Sequence, residues 1–207
     1  MPSWSVLPIA FLLPSAVLGA LHATQRLERR ALCRLLLGLW AACSATFAVT
    51  NALKVAVGRP RPNFAARCWP NGTVAGVPGT PLCEGTPHSV AEGLKSFPSG
   101  HTSLTTAGLA YLALALLARV RPGEPGNTWR TMAALSPLAL ALYVGVTRVS
   151  DYWHHWTDVA AGAALGLSFA TLMFHKLGAA KAEEAAPLGP EGSADAPEGG
   201  QTVTSAV

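Results

Sequence analysis

Five apolar runs constrain this chain more than any other feature of it. Residues 6–22, 35–57, 102–117, 132–146 and 159–174 are hydrophobic almost throughout, and the charges gather in the segments between them. A hydrocarbon layer about 30 Å thick takes ~20 helical residues to cross. Only helices or closed barrels can satisfy their backbone polar groups inside it. The last three runs fall slightly short, so flanking residues are expected to complete each span. Half of the 207 residues are hydrophobic and only 13% are charged, which is unusual for a soluble domain. The expectation is an all-α, polytopic membrane helix bundle of about five spans.

Both ends of the chain depart from that pattern. Residues 1–23 have an apolar centre and small residues near Ala20, as a signal peptide has, but no basic region at the start. A retained span is the favoured reading. After Leu177 the composition turns to Ala, Glu, Pro, Gly and Ser, and no hydrophobic face survives. This divides the chain into a membrane-embedded domain over 1–178 and a disordered tail over 179–207. The net charge of +4 is spread over short loops, without the dense basic tract that nucleic acid would need. The arginines at 26, 29, 30 and 34, and those at 119, 121 and 130, place two loops in the cytoplasm by the positive-inside rule. Cys33 and Cys43 lie at or within the second run, as small hydrophobes. Cys68 and Cys83 lie in the long polar loop 64–97, where a disulfide can form if the loop faces an oxidising compartment. The same loop carries the sequon Asn71-Gly72-Thr73, a weak pointer to the lumenal side.

Three polar stretches border the runs. Residues 147–158, TRVSDYWHHWTD, hold an arginine, two histidines and two aspartates. Ionisable groups at the edge of a bilayer are costly to desolvate and point to function. If the last helix begins near His154, then His154 and Asp158 share one face of it. The competing reading is an aromatic belt formed by Tyr152, Trp153 and Trp156. The second run ends in NALKVAVGRPRP, with Lys54, Arg59 and Arg61 at a helix exit stiffened by two prolines. The loop 64–97 leads into KSFPSGHTS. Ser99 there suits a helix cap, and Gly100 and His101 stand at a helix N-terminus that offers free N–H groups to an anion.

Alternating helix directions bring the three stretches to one side of the membrane. Lys54, Arg61, Ser99, Gly100, His101, Arg148, His154 and Asp158 can then converge. Three cations around a helix N-terminus complement a tetrahedral anion, and phosphate fits best. The same cations oppose a divalent metal, so neither a metal nor another cofactor is expected.

A lysine, six residues and Arg-Pro (Lys54 to Pro62), then Pro-Ser-Gly-His (Pro98 to His101), then Arg148, His154 and Asp158 in their spacing resemble the three motifs of the type 2 phosphatidic acid phosphatase superfamily, the lipid phosphate phosphatases. The resemblance runs over roughly residues 35–174, and its wording is most similar to the diacylglycerol pyrophosphate phosphatase-like branch. It implies a phosphohistidine formed on His154, with Asp158 orienting that ring and His101 protonating the leaving group and then activating water. Lys54, Arg61, Ser99, Gly100 and Arg148 would hold the phosphoryl oxygens. The implied partners are a lipid phosphate substrate, such as phosphatidate or diacylglycerol pyrophosphate, and the bilayer itself. A prenyl pyrophosphate, a sphingoid phosphate and an inactive lipid-binding relative are the alternatives. The site would lie on the extracytoplasmic or lumenal face. Thr147 stands where the family usually has serine, and the first of the usual six spans is missing from this reading. Oligomeric state is not legible.

Overall fold

The computed structural model describes residues 5–24, 26–72, 76–77, 80–81, 83–120 and 126–178. The expected tail, Arg121 and Thr73 of the sequon lie outside those residues. Helix α1, Pro8–Ala23, starts with a wide π turn and continues as a regular helix. Then follow α2 (Arg29–Val57), α3 (Phe64–Cys68), the two-residue strands β1 (Gly76–Val77) and β2 (Thr80–Pro81), α4 (Pro87–Gly93), α5 (Gly100–Leu117), α6 (Asn127–Ser150) and α7 (Trp156–Met173). A final π-helical turn carries α7 on to Gly178.

Helix α5 is the axis of the bundle. It has no polar face, and it is buried on all sides from Thr102 to Ala113 by α1, α2, α6 and α7. The surrounding helices bury one stripe each and turn large apolar side chains outward, among them Phe47, Val55, Met132, Leu142 and Leu172. In water so much exposed apolar surface would aggregate, whereas lipid chains cover it without cost. Among the described residues, α2, α5, α6 and α7 with its extension are long and apolar enough to cross a membrane, while Pro8–Ala23 is a shorter apolar helix. The five expected spans are thus four of spanning length and one shorter helix.

Two glycines set the spacing at the functional end. A Cβ on Gly162 would stand 2.7 Å from the carbonyl oxygen of Ser99, and one on Gly166 would meet the carbonyl of Ser103. Without those side chains α7 lies directly on the backbone of α5, as small residues allow in membrane bundles.

The stretch 64–97, expected as a loop, is partly built. A Cys68–Cys83 disulfide closes it, and the Cys68 carbonyl accepts from the N–H groups of Glu84 and Gly85 at 2.8 and 3.0 Å. The two strands pair antiparallel, Gly76 opposite Pro81. Helix α4 is capped by Thr86, and its Gly93 carbonyl accepts from the Arg61 N–H at 2.8 Å. That bond ties the folded loop to the exit of α2.

Candidate active site

The ends of α2 and α6 and the starts of α5 and α7 lie together. Helix α2 stops where Gly58 takes the left-handed conformation (φ 61°), one turn after Lys54. Ser99 caps α5: its hydroxyl accepts from the Thr102 hydroxyl at 3.0 Å and, at 3.5 Å, from its N–H. Helix α7 begins at Trp156 with a capping box, in which the His155 N–H donates to the Asp158 carboxylate at 2.9 Å. His154 therefore stands just before the helix rather than on it. The N–H of Ser99 donates to the Asp158 carbonyl at 2.9 Å, which joins the mouths of α5 and α7.

These ends enclose a cavity of about 790 Å³. Lys54, Arg61, Gly100, His101, Arg148 and His154 line one part of it, and Val6, Leu7, Phe47 and Leu104 another. Arg67, His88, Glu92 and Trp153 form a further polar wall, supplied by the folded loop and by the segment before α7.

His154 is buried, with 3% of its surface exposed. Its Nδ1 donates to the carbonyl of Ser96 at 2.7 Å, which leaves the lone pair on Nε2. Burial first, and then the charges of Lys54 and Arg61, push its pKa down to about 3, against the opposing pull of the Ser96 carbonyl and Asp158. The ring is accordingly a neutral imidazole with a free nucleophilic nitrogen.

Asp158 is fully buried, yet it is not hydrogen-bonded to His154. Its Oδ2 stands 3.9 Å from the His154 Nδ1. That oxygen accepts from the Ser96 hydroxyl at 2.5 Å and from the His155 ring at 3.2 Å, while Oδ1 accepts from Arg59 at 2.7 Å.

The cations are held in different ways. Lys54 Nζ donates to the Lys95 carbonyl at 3.0 Å. Arg148, 2% exposed, donates to Asp151 at 2.9 Å and to the Thr147 hydroxyl at 3.2 Å, so threonine serves where the family has serine. Arg61 lies 3.9 Å from Glu92 and over the Trp153 ring at 5.0 Å, and Arg67 stacks on the same indole at 4.8 Å. The Lys95 ammonium, 2.6 Å from Glu92, holds that carboxyl below its usual range. Arg61 Nε and His101 Nε2 are buried and have no hydrogen-bond partner among the described residues.

Seven of the eight expected residues meet here, but in two layers. Lys54, Arg61, Gly100, His101, Arg148 and His154 line the cavity, and Asp158 sits behind His154. Ser99 is fully buried and does not line the cavity; its hydroxyl serves as the cap. Sequence reasoning missed Ser96, Trp153 and Arg67, and gave no site role to Arg59 and His155, although both hold Asp158. Trp153 had a visible signal in its place beside His154, but was read as part of an aromatic belt. Tyr152 and Trp156, at 70% and 72% exposed, do fit that belt.

The PAP2 superfamily pattern matches residues 31–181. The chain belongs to that superfamily. It is 43% identical over 177 residues to Lipid phosphate phosphatase 2 of Arabidopsis thaliana, covering 84% of the chain and 61% of that relative. Lipid phosphate phosphatase 1 of the same plant is 41% identical over 181 residues, covering 85% of the chain and 54% of the relative. "Probable diacylglycerol pyrophosphate phosphatase 1" of Schizosaccharomyces pombe is 38% identical over 135 residues, 61% of the chain and 47% of the relative. The chain thus spans between about half and three fifths of the length of these proteins. No solved structure matches it significantly.

Proposed function

We propose that this membrane protein hydrolyses lipid phosphates, the monoester phosphatidate and the anhydride diacylglycerol pyrophosphate first among them, through a phosphohistidine and without a metal ion. One observation carries the reading: one cavity is lined both by cations and histidines and by apolar side chains of α2, α5 and the residues just before α1. A phosphate ester on an acyl-bearing glycerol has the same division of polarity.

The chemistry runs in two displacements. Lys54, Arg61, Arg148 and the first N–H groups of α5 receive the phosphoryl oxygens and the charge they gain in the transition state. His154 Nε2 forms a bond to phosphorus as the bond to the lipid oxygen breaks, and His101 gives a proton to that departing oxygen. His101 then takes a proton from water as that water's oxygen bonds phosphorus, the P–N bond breaks, and inorganic phosphate leaves. Asp158, 3.9 Å from Nδ1, counters the positive charge of the phosphorylated ring. The arginines at 26, 29, 30 and 34, just before and at the start of α2, favour the cytoplasm by the positive-inside rule, which supports a site opening on the extracytoplasmic or lumenal face.

Purified protein in detergent micelles, offered phosphatidate, diacylglycerol pyrophosphate, a sphingoid phosphate and a prenyl pyrophosphate, tests this. Phosphate release from the first two, unaffected by excess EDTA and blocked by vanadate, is the expected result. Activity that chelation abolishes and one divalent metal restores would overturn the metal-free mechanism. Turnover of the prenyl or sphingoid compound alone would replace the proposed substrates.

A further inference from the structure

The Asp158 carboxylate and the nucleophile of this site are bridged by a third residue. Ser96 makes contact with both: its carbonyl accepts the His154 Nδ1–H at 2.7 Å, and its hydroxyl donates to Asp158 Oδ2 at 2.5 Å. We propose that Ser96 is a positioning residue through which Asp158 acts on His154, its hydroxyl anchored by the carboxylate and its carbonyl holding the imidazole. The inference rests on the reading of His154 as the nucleophile.

Three bonds close a ring around Ser96. Its N–H donates to the Arg59 carbonyl at 2.9 Å, the Arg59 guanidinium donates to Asp158 Oδ1 at 2.7 Å, and the Ser96 hydroxyl completes the circuit on Oδ2. A residue held at its N–H and at its side chain cannot turn its carbonyl away from His154. Ser96 is fully buried, so water does not compete for these bonds.

The arrangement has a chemical consequence. A carboxylate in direct contact could draw the Nδ1 proton toward itself as the ring becomes cationic. An amide carbonyl is too weak a base to take it, so the proton stays on Nδ1 while Nε2 carries the phosphoryl group. Asp158, already accepting from Arg59, Ser96 and His155, contributes its charge at 3.9 Å and the fixed position of Ser96.

Ser96→Ala removes the hydroxyl and keeps the carbonyl, and it touches none of the cations that face the anion. Rapid quench with labelled aryl phosphate should show phosphoenzyme formation slowed roughly 10–100-fold, the usual range for losing a partner that orients a reacting histidine. Competitive inhibition by inorganic phosphate, which the cations bind without a bond to His154, should be unchanged, and a general loss of structure would not leave it intact. Ser96→Thr, which restores the hydroxyl, should recover most of the rate. With Asp158→Asn added, the double variant should be no slower than the slower single variant, because both changes break one chain of contacts. A wild-type rate in Ser96→Ala, a parallel loss of phosphate affinity, or losses that multiply in the double variant would each overturn the inference. If the unaltered protein forms no phosphoenzyme and releases no phosphate from lipid, the functional reading fails and this inference with it.

Discussion

Burial and the charges of Lys54 and Arg61 keep the His154 imidazole neutral down to about pH 3, whereas an unfolded histidine titrates near 6.5. Between those values the unfolded chain binds a proton that the folded chain refuses. The stability associated with His154 is therefore full above about pH 6.5 and falls on acidification, by at most ~1.4 kcal/mol per pH unit. Melting curves in detergent from pH 7 to 4 should show a steeper decline for the wild type than for His154→Asn; equal slopes would show that His154 protonates freely when folded. His101 has a different signature. The residue lines the cavity, its Nε2 has no hydrogen-bond partner among the described residues, and as the proposed acid it matters most when the leaving group is poor. His101→Asn should lose ~10²–10⁴-fold in single-turnover phosphorylation by a lipid phosphate and much less by nitrophenyl phosphate, whose phenolate leaves unaided. Equal losses for both substrates would remove that role.

The helix ends place these residues, and the approach of α7 to α5 depends on two missing side chains. Gly166→Leu would drive a side chain into the Ser103 carbonyl, whereas a Cβ on Gly19 meets nothing within 4 Å. Overpacking costs typically ~1–3 kcal/mol, so Gly166→Leu should lower the melting temperature and abolish phosphate release while Gly19→Leu does neither; identical behaviour would contradict this packing. Element by element, legibility followed the range of the interaction. The apolar runs announced the helices, but α2 and α6 begin earlier than their runs, at Arg29 and Asn127. Backbone hydrogen bonding continues past the hydrocarbon boundary that hydropathy detects. Lys54, Arg61, His101 and Arg148 were readable because charges beside apolar helices are conspicuous. Ser96 was not, because its decisive group is a backbone carbonyl that every residue has. Nor was the Arg61–Trp153–Arg67 stack, which joins the loop to the segment before α7. That loop is held by the Cys68–Cys83 disulfide. Cys68→Ser with Cys83→Ser should therefore raise KM more than it lowers kcat, since Arg61 is loosened and His154 is not; an unchanged KM would separate the loop from substrate binding.

For the whole molecule, the proposed function includes an orientation, with the four helix ends that form the site on the extracytoplasmic or lumenal face. Asn71 is exposed on the same folded loop. Asn71→Cys should react with an impermeant maleimide in sealed vesicles whose extracytoplasmic or lumenal face is outward, above the background from the native cysteines; labelling only after permeabilisation would reverse the topology. On the proposed function, the apolar flank of the cavity lets a substrate keep its chains in the bilayer while its phosphate meets His154. The covalent intermediate is the centre of that account. Rapid quench of the purified protein with labelled phosphatidate should trap an acid-labile, base-stable adduct on Nε2 of His154, formed and lost fast enough to carry turnover and absent from His154→Asn. Turnover without any adduct, or an adduct that persists in His154→Asn, would contradict it.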